Sequence, residues 1–269
     1  MGYQSQYIHP DLKLSRFEDT FYKADVLFEQ HLLVWLISGE TKIVHGDQTF
    51  WFGAGDILLF SRNQLVTVIN YPKDGLQHQS AVMHLGKKRL TDFYSRNKVE
   101  VRQVQPPRFR TFEKHPLLKS ILHSLIPYFE LKEPLPESIA SIKIEEAITI
   151  LRTIDPNIDH LLANFDEPGK ISLTDFMEQN YMFNMSMDKF GYMTGRSLTT
   201  FKRDFKKTFQ TTPQKWLTEK RLELAHYHIR ERKRKPSDVY LEVGFENLSH
   251  FGYAFKRRFG YAPTEIVGR

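Results

Sequence analysis

The chain has 269 residues, 41% of them hydrophobic and 13% aromatic, a formal net charge of +6 and no cysteine. That length holds about two domains of ordinary size, and the apolar content suffices for packed cores, which excludes a disordered chain. Disulfides, thiol nucleophiles and cysteine-ligated metal sites are excluded too, and no apolar run approaches the ~20 residues that cross a bilayer.

The charge is unevenly placed. Residues 168–269 hold 19 Lys+Arg against 11 Asp+Glu, a net of +8, which leaves residues 1–167 at −2. A basic module joined to a near-neutral one predicts a polyanion-binding domain under the control of a separate part. The first residues carry no basic segment followed by an apolar stretch, so no secretory signal is expected and the location is read as cytoplasmic.

The first hundred residues read as short strands. His31–Ile37 is a nearly continuous apolar run closed by Ser38 and Gly39, as a strand covered on both faces requires. Thr41–His45 and Thr49–Phe52 flank Gly46-Asp47-Gln48, a hairpin signal. Gly53–Asp56 then turns the chain into Ile57–Phe60, and Val66–Tyr71 and Ala81–Leu85 follow on either side of the turn-forming Pro72–Gly75. Short strands with Gly and Asp corners predict a small antiparallel barrel or sandwich. Trp35, Trp51, Phe60 and Tyr71 either line an effector cavity inside it or pack its core.

From Pro106 the texture changes. Apolar residues at three-four spacing predict an amphipathic helix over Pro116–Phe129 and a second over Ser138–Arg152, after the break at Pro134–Pro136. A short third segment runs Ile158–Phe165, and Asp166-Glu167-Pro168-Gly169 reads as the interdomain hinge. Beyond it Ser172 and Ser186 are placed to cap helices, and Pro213 sits in the first turn of a longer helix through Ile229, where its missing N–H costs nothing. About 17 residues of helix span roughly 25 Å.

Two stretches on either side of that long helix have the same layout. Met185–Thr212 and Pro236–Ala262 each read as helix, tight turn and basic second helix. Superposing them pairs Phe190 with Val239, Gly195 with Gly244, Phe201 with Phe251, Phe205 with Phe255, and Lys206-Lys207 with Lys256-Arg257. A single helix-turn-helix is a common packing unit, but a duplicated one with charge on each second helix points to double-stranded DNA. In the first motif Leu198, Phe201 and Phe205 face inward, leaving Thr199, Lys202 and Arg203 as candidates for base contact. Ser197, Lys206 and Lys207 are candidates for phosphate contact. In the second, Ser249, His250 and Tyr253 are the base-contact candidates, and Lys256 and Arg257 the phosphate-contact candidates. Successive major grooves on one face of a duplex lie ~34 Å apart, a span suited to two motifs and a rigid connecting helix.

These residues resemble the AraC/XylS family of bacterial transcription regulators. The resemblance covers about Ser172–Arg269 and is most specific over Val243–Phe251 and Phe255–Pro263. It implies promoter binding by two helix-turn-helix units bridged by a long helix, and activation through contact with RNA polymerase. Arg203 matches the family's arginine in the first motif, whereas Tyr253 stands where the second commonly has one. Tyr240 and Gly191 replace a usual alanine. The first recognition helix is therefore expected to carry more of the sequence specificity and the second more of the phosphate affinity. Residues 1–112 resemble the family's cupin-like sensing domain, with residues 113–166 as a helical dimerisation region and residues 167–269 as the DNA-binding domain. Within the first part, His31–Gly39 and Gly53–Asn63 resemble a subset whose input is a protein partner. The fold class implied is α+β multidomain: an antiparallel β barrel or sandwich with dimerisation helices, then an all-α domain.

The expected protein is thus a homodimeric, nucleoid-associated activator with no membrane partner and an effector, small molecule or protein, that the residues do not specify. The alternative is a metal-dependent cupin-type enzyme fused to a DNA-binding module. Such enzymes cluster histidines one residue apart beside a glutamate, whereas His31, His45, His78 and His84 are scattered singly. No phosphate-binding glycine loop or serine elbow occurs. No catalytic residue, metal or cofactor is therefore expected.

Overall fold

The computed structural model describes residues 4–17, 21–45, 48–100, 109–112, 115–131 and 133–268. They divide into two compact units, residues 1–166 and 167–269. The hairpin residues Gly46 and Asp47, Pro106, and the boundary residue Glu113 lie outside the described residues.

The first unit opens with β1 (Gln4–His9), β2 (Leu12–Phe17), β3 (Tyr22–Phe28), β4 (His31–Ser38), β5 (Glu40–His45), β6 (Gln48–Gly53), β7 (Ile57–Phe60), β8 (Gln64–Tyr71) and β9 (His78–Leu85). Helix α1 (Lys87–Arg96) and strand β10 (Phe109–Phe112) follow. The strands form two antiparallel sheets, one in the order β1-β2-β9-β4-β7-β10 and the other β3-β8-β5-β6. Of the two architectures expected, a barrel or a sandwich, the two separate sheets select the sandwich. The strands before His31 escape a search for apolar runs because β1 is mostly polar, while β2 buries Leu12, Leu14, Ser15 and Phe17.

Side-chain alternation explains the apolar run of β4. Leu33 and Trp35 belong to a core shared with the helices, whereas Leu36 packs toward the second sheet with Leu58 and Phe60 of β7. Both faces of β4 are therefore covered. The helices on its far side are α2 (Pro116–His123), α3 (Ile126–Leu131), α4 (Glu137–Ile154) and α5 (Ile158–Leu162). The single helix expected over Pro116–Phe129 is two, because Pro127 lacks the N–H that a continuous helix needs and would clash with the carbonyl one turn back. Leu118, Ile121 and Leu122 of α2, Phe129 of α3 and Ile144, Ile148 and Leu151 of α4 join Leu12, Leu33 and Met83 in one core, so sheet and helices form a single layer pair.

The second unit is helical: α6 (Leu173–Asn180), α7 (Met187–Met193), α8 (Leu198–Phe209), α9 (Pro213–Arg230), α10 (Pro236–Glu242) and α11 (Leu248–Phe259), then a 3-10 turn over Pro263–Gly268. The caps follow from side-chain oxygens that accept otherwise unpaired helix N–H groups. Ser172 accepts from the Asp175 amide, Ser186 from Lys189, Ser197 from Thr200 and Thr212 from Lys215. Pro213 starts α9, which at 18 residues extends about 27 Å.

Two cores flank α9. The first contains Leu173, Met177, Phe190, Phe201, Phe205, Trp216 and Leu217. The second contains Leu222, Ala225, Ile229, Val239, Val243, Phe245, Phe251, Phe255 and Ile266. No residue belongs to both clusters. The N-terminal half of α9 thus serves the first motif and its C-terminal half the second.

Candidate nucleic-acid interface

Helices α8 and α11 are 12 residues each and are built alike. Each begins at a polar cap, Ser197 or Asn247, and the Asn247 carboxamide accepts from the amides of Ser249 and His250. Each ends on a left-handed residue, Gln210 (φ 55°) or Gly260 (φ 86°), that stops the helix. Their buried residues are Phe201 and Phe205 in one, Phe251 and Phe255 in the other, which fixes which face remains outside.

The turns differ by one residue. Gly195 lies two positions before the Ser197 cap, while Gly244 lies three before Asn247, so the repeat offset grows between glycine and phenylalanine. Both glycines have positive φ, +66° and +91°, and a Cβ at either would sit within 3 Å of neighbouring atoms. In the first turn Thr194 is buried and donates its hydroxyl to the carbonyls of Phe190 and Gly191. Helices α7 and α8 approach closely at Gly191, where a Cβ would stand 3.0 Å from the Arg196 carbonyl and 3.4 Å from Phe201 Cβ.

On α8 the predicted contact residues Thr199, Lys202, Arg203, Lys206 and Lys207 are all exposed, as is Ser197 at the cap. Ser197 also donates its hydroxyl to Thr200 Oγ1 at 3.0 Å. Arg203 is 74% exposed, with Nε 3.5 Å from the Asp204 carboxylate. On α11 Ser249, His250, Tyr253, Lys256 and Arg257 are exposed, Tyr253 at 68%. A phenol that open to solvent suits stacking or hydrogen bonding with a partner and contributes little to the core.

Two residues that periodicity does not single out shape the first face. Asp204 places a negative charge on a helix whose other charged residues are all cationic, and Arg196 neutralises it. The Arg196 guanidinium, 8% exposed, lies 3.1 Å from Asp204 and also donates to the carbonyls of Ile171 and Thr194. This hydrogen bond, with Lys170 and Arg203 adding their charges, holds the Asp204 carboxyl below the usual carboxylate range. The pairing keeps a bare carboxylate from repelling phosphates. The sequence signal was an arginine directly before a serine cap with an aspartate eight residues later.

In the first unit a cavity of about 480 Å³, open to solvent on one side, lies between the two sheets. Its walls are Val26, Leu32, Val34, Leu36, Leu58 and Val68, with Thr41, Asn70 and His78 among its polar groups. Thr41 donates to Asn70 Oδ1 at 2.9 Å and lies 2.8 Å from His78 Nε2. Burial lowers His78 to about 4, so it is neutral at pH 7. Of the four aromatics offered for an effector pocket, Phe60 alone lines this cavity, against Phe28. Trp35 points to the other side of its sheet and packs on the His123 ring, while Trp51, 51% exposed, stacks on Tyr71. Strand alternation sends these three side chains elsewhere. Among the described residues no group of three or more His, Asp or Glu stands where it would hold a metal ion, and no helix is long and apolar enough to cross a membrane.

Known proteins match both units in the same order. Residues 31–160 match the family described as the ExsA N-terminal regulatory domain, and residues 192–269 match a helix-turn-helix domain family. The HTH-type transcriptional regulator ExsA of Pseudomonas aeruginosa is 26% identical over 236 residues, 85% of this chain and 83% of that one. Together these matches support an AraC-family regulator. Another relative, the virulence regulon transcriptional activator VirF of Yersinia enterocolitica, is 28% identical over 162 residues, 60% of this chain and 59% of VirF. The chain therefore aligns with less than two thirds of VirF's length. Among solved structures, an apo ToxT variant from Vibrio cholerae aligns over 96% of both chains at 11% identity with a TM-score of 0.47.

Proposed function

We propose that this chain is a sequence-specific, double-stranded DNA-binding transcription regulator, an activator, that inserts α8 and α11 into adjacent major grooves. One observation carries the reading: two 12-residue helices, each fixed by two buried phenylalanines, turn exposed cationic faces to solvent on either side of one long helix. Such a helix fits the major groove, which is ~12 Å wide. Arg203 is assigned to a base, with Thr199 and Lys202 beside it, and Ser249, His250 and Tyr253 are their counterparts on α11. Ser197, Lys206, Lys207, Lys256 and Arg257 are assigned to phosphates. RNA polymerase is the second partner, by analogy with activators such as VirF, and the location is the cytoplasm, on the nucleoid. The cavity between the sheets is the place for a small effector if one exists. The N-terminal part spans residues 1–112, the dimerisation helices residues 113–166 and the DNA-binding part residues 167–269.

The test uses duplexes selected by the full chain from a random library. Arg203→Ala is expected to weaken the preferred duplex by about 1–3 kcal/mol and to relax one base position. Lys256→Ala should weaken all duplexes alike and lower the slope of log affinity against log salt by about 1. Unchanged affinity in Arg203→Ala removes α8 as the reading helix. A homodimer through α2 and α4 is part of the proposal, and light scattering at micromolar concentration should give twice the chain mass. A full chain that is already a monomer, and stays one when residues 1–167 are removed, ends that part.

A further inference from the structure

The two motifs of the second unit have separate hydrophobic cores, and α9 runs between them. At 100° per residue, Pro213, Trp216 and Leu217 point to one side of α9, and Leu222, Ala225 and Ile229 point roughly 160° away. A helix that presents opposite faces to two independent cores fixes their separation along its axis. It does not by itself lock how each motif leans about that axis. Something has to join them directly.

Arg221 stands at the changeover, between Leu217 and Leu222 in sequence and between the two faces in angle. Its guanidinium donates to three backbone carbonyls. Nε reaches Tyr181 at 2.9 Å and Nη2 reaches Phe183 at 2.8 Å, both in the segment between α6 and α7. Nη1 reaches Gly244 at 2.9 Å, in the turn of the second motif. One planar cation thus holds the loop before the first motif to the turn inside the second. Gly244 is shaped for it: a Cβ there would stand 2.8 Å from the Met182 carbonyl and 2.9 Å from the Arg221 guanidinium. Beside it Asn184 donates to the Glu246 carboxylate at 2.7 Å across the same seam.

We infer that Arg221 is the positioning residue that sets the angle between the two recognition helices, and so the half-site spacing this protein accepts. The inference rests on the DNA-binding reading for its consequence but not for its geometry. A lysine keeps the charge yet offers a compact ammonium with no planar fork, so it cannot address three carbonyls set apart on two motifs. In Arg221→Lys the cores remain, while the joint between them loosens.

Two measurements on the full chain test this. Because the chain has no cysteine, spin labels go specifically onto Thr208→Cys in α8 and Ser237→Cys in α10, both exposed. Pulsed dipolar spectroscopy of the free protein should give one narrow distance distribution, widened by Arg221→Lys and, to a lesser degree, by Asn184→Ala. In random-duplex selection the native chain should recover two half-sites at one spacing, and Arg221→Lys should recover both half-sites at several spacings. Distributions as narrow in Arg221→Lys as in its parent, or an unchanged single spacing, overturn the inference. So does a variant that no longer melts cooperatively, because the arginine would then be holding the fold and not the angle. If the native chain selects no sequence at all, the DNA-binding reading fails while the spin-label result still judges the joint.

Discussion

Phe205→Ala is expected to destabilise the first helix-turn-helix by about 3–5 kcal/mol, the range for truncating a buried aromatic. Phe205 is fully buried at the meeting point of α8 and α9, with ring centroids 5.6 Å from Phe201, 4.3 Å from Phe209 and 5.7 Å from Trp216. Removing the ring deletes its transfer free energy and three aromatic contacts, and the surrounding helices cannot collapse fully into the gap. Total stabilities of about 5–15 kcal/mol make that a large fraction. For a domain of 60–100 residues each kcal/mol shifts Tm by about 4–8 °C, so thermal unfolding should move down by on the order of 15 °C or more. Lys206→Ala on the exposed neighbour is the control, expected to change stability by no more than about 0.5 kcal/mol. Since the second core shares no residue with the first, calorimetry of Phe205→Ala should resolve two transitions, with the later one near its original temperature. A single unshifted transition would mean that α8 is not anchored as described.

The same phenylalanines explain why the second unit was legible from its sequence. Their three-four spacing, the serine caps and Pro213 each act locally, within one turn of helix, and local rules are what a sequence displays. The strands from His31 to Leu85 were legible for the same reason. Other features depend on partners distant in the chain. Strand β1 is polar and, among the described residues, lies at the sheet edge paired with β2, so no apolar run marks it. Helix α1 reads as charged, and its Leu90, Phe93 and Tyr94 gain meaning only against α4 and the sheet. Which of the four aromatics would reach the cavity was not legible, because composition does not reveal which face of a strand a ring takes. Trp35 and Phe60 sit on neighbouring strands, yet one faces the helices and the other the cavity. Arg196 and Arg221 look like surface cations in a basic sequence, and only the fold brings backbone carbonyls to them.

Acid should destabilise the first unit well before its carboxylates titrate. His31 and His78 are each 2% exposed. Burial, with the Arg62 charge adding to it, lowers His31 to about 3, and burial lowers His78 to about 4. The Arg62 amide donates to His31 Nδ1, which places the proton on Nε2, and that atom has no hydrogen-bond partner. Thr41 spends its hydroxyl proton on Asn70, so the neutral His78 ring donates from Nε2. Neither ring can take a second proton without burying a charge: His78 sits between the two sheets, and His31 lies on the helix-facing side of β4 with Leu33 and Trp35. In the unfolded chain both titrate near 6.5, so below that pH the unfolded state binds more protons than the folded one. Stability is complete above about pH 6.5 and falls as pH drops toward 4 for His78 and 3 for His31. At about 1.4 kcal/mol per unit for each ring, two rings cost on the order of 4 kcal/mol at pH 5. Asp and Glu contribute little in that window, because their ordinary values lie near 4 and the lowered ones, such as Glu137 at about 2 beside Arg89 and His9, lie further below. Urea unfolding at pH 7 and pH 5 checks this, followed through the buried Trp35 with Trp216 replaced by phenylalanine in every sample. His78→Gln should lower the slope by one ring's share, since glutamine keeps a donor for Thr41 and cannot be protonated, while His31 and His84, both also lowered by burial, keep theirs. Equal stability at both pH values, or an unaltered slope in His78→Gln, would place the acid-sensitive protons on other groups.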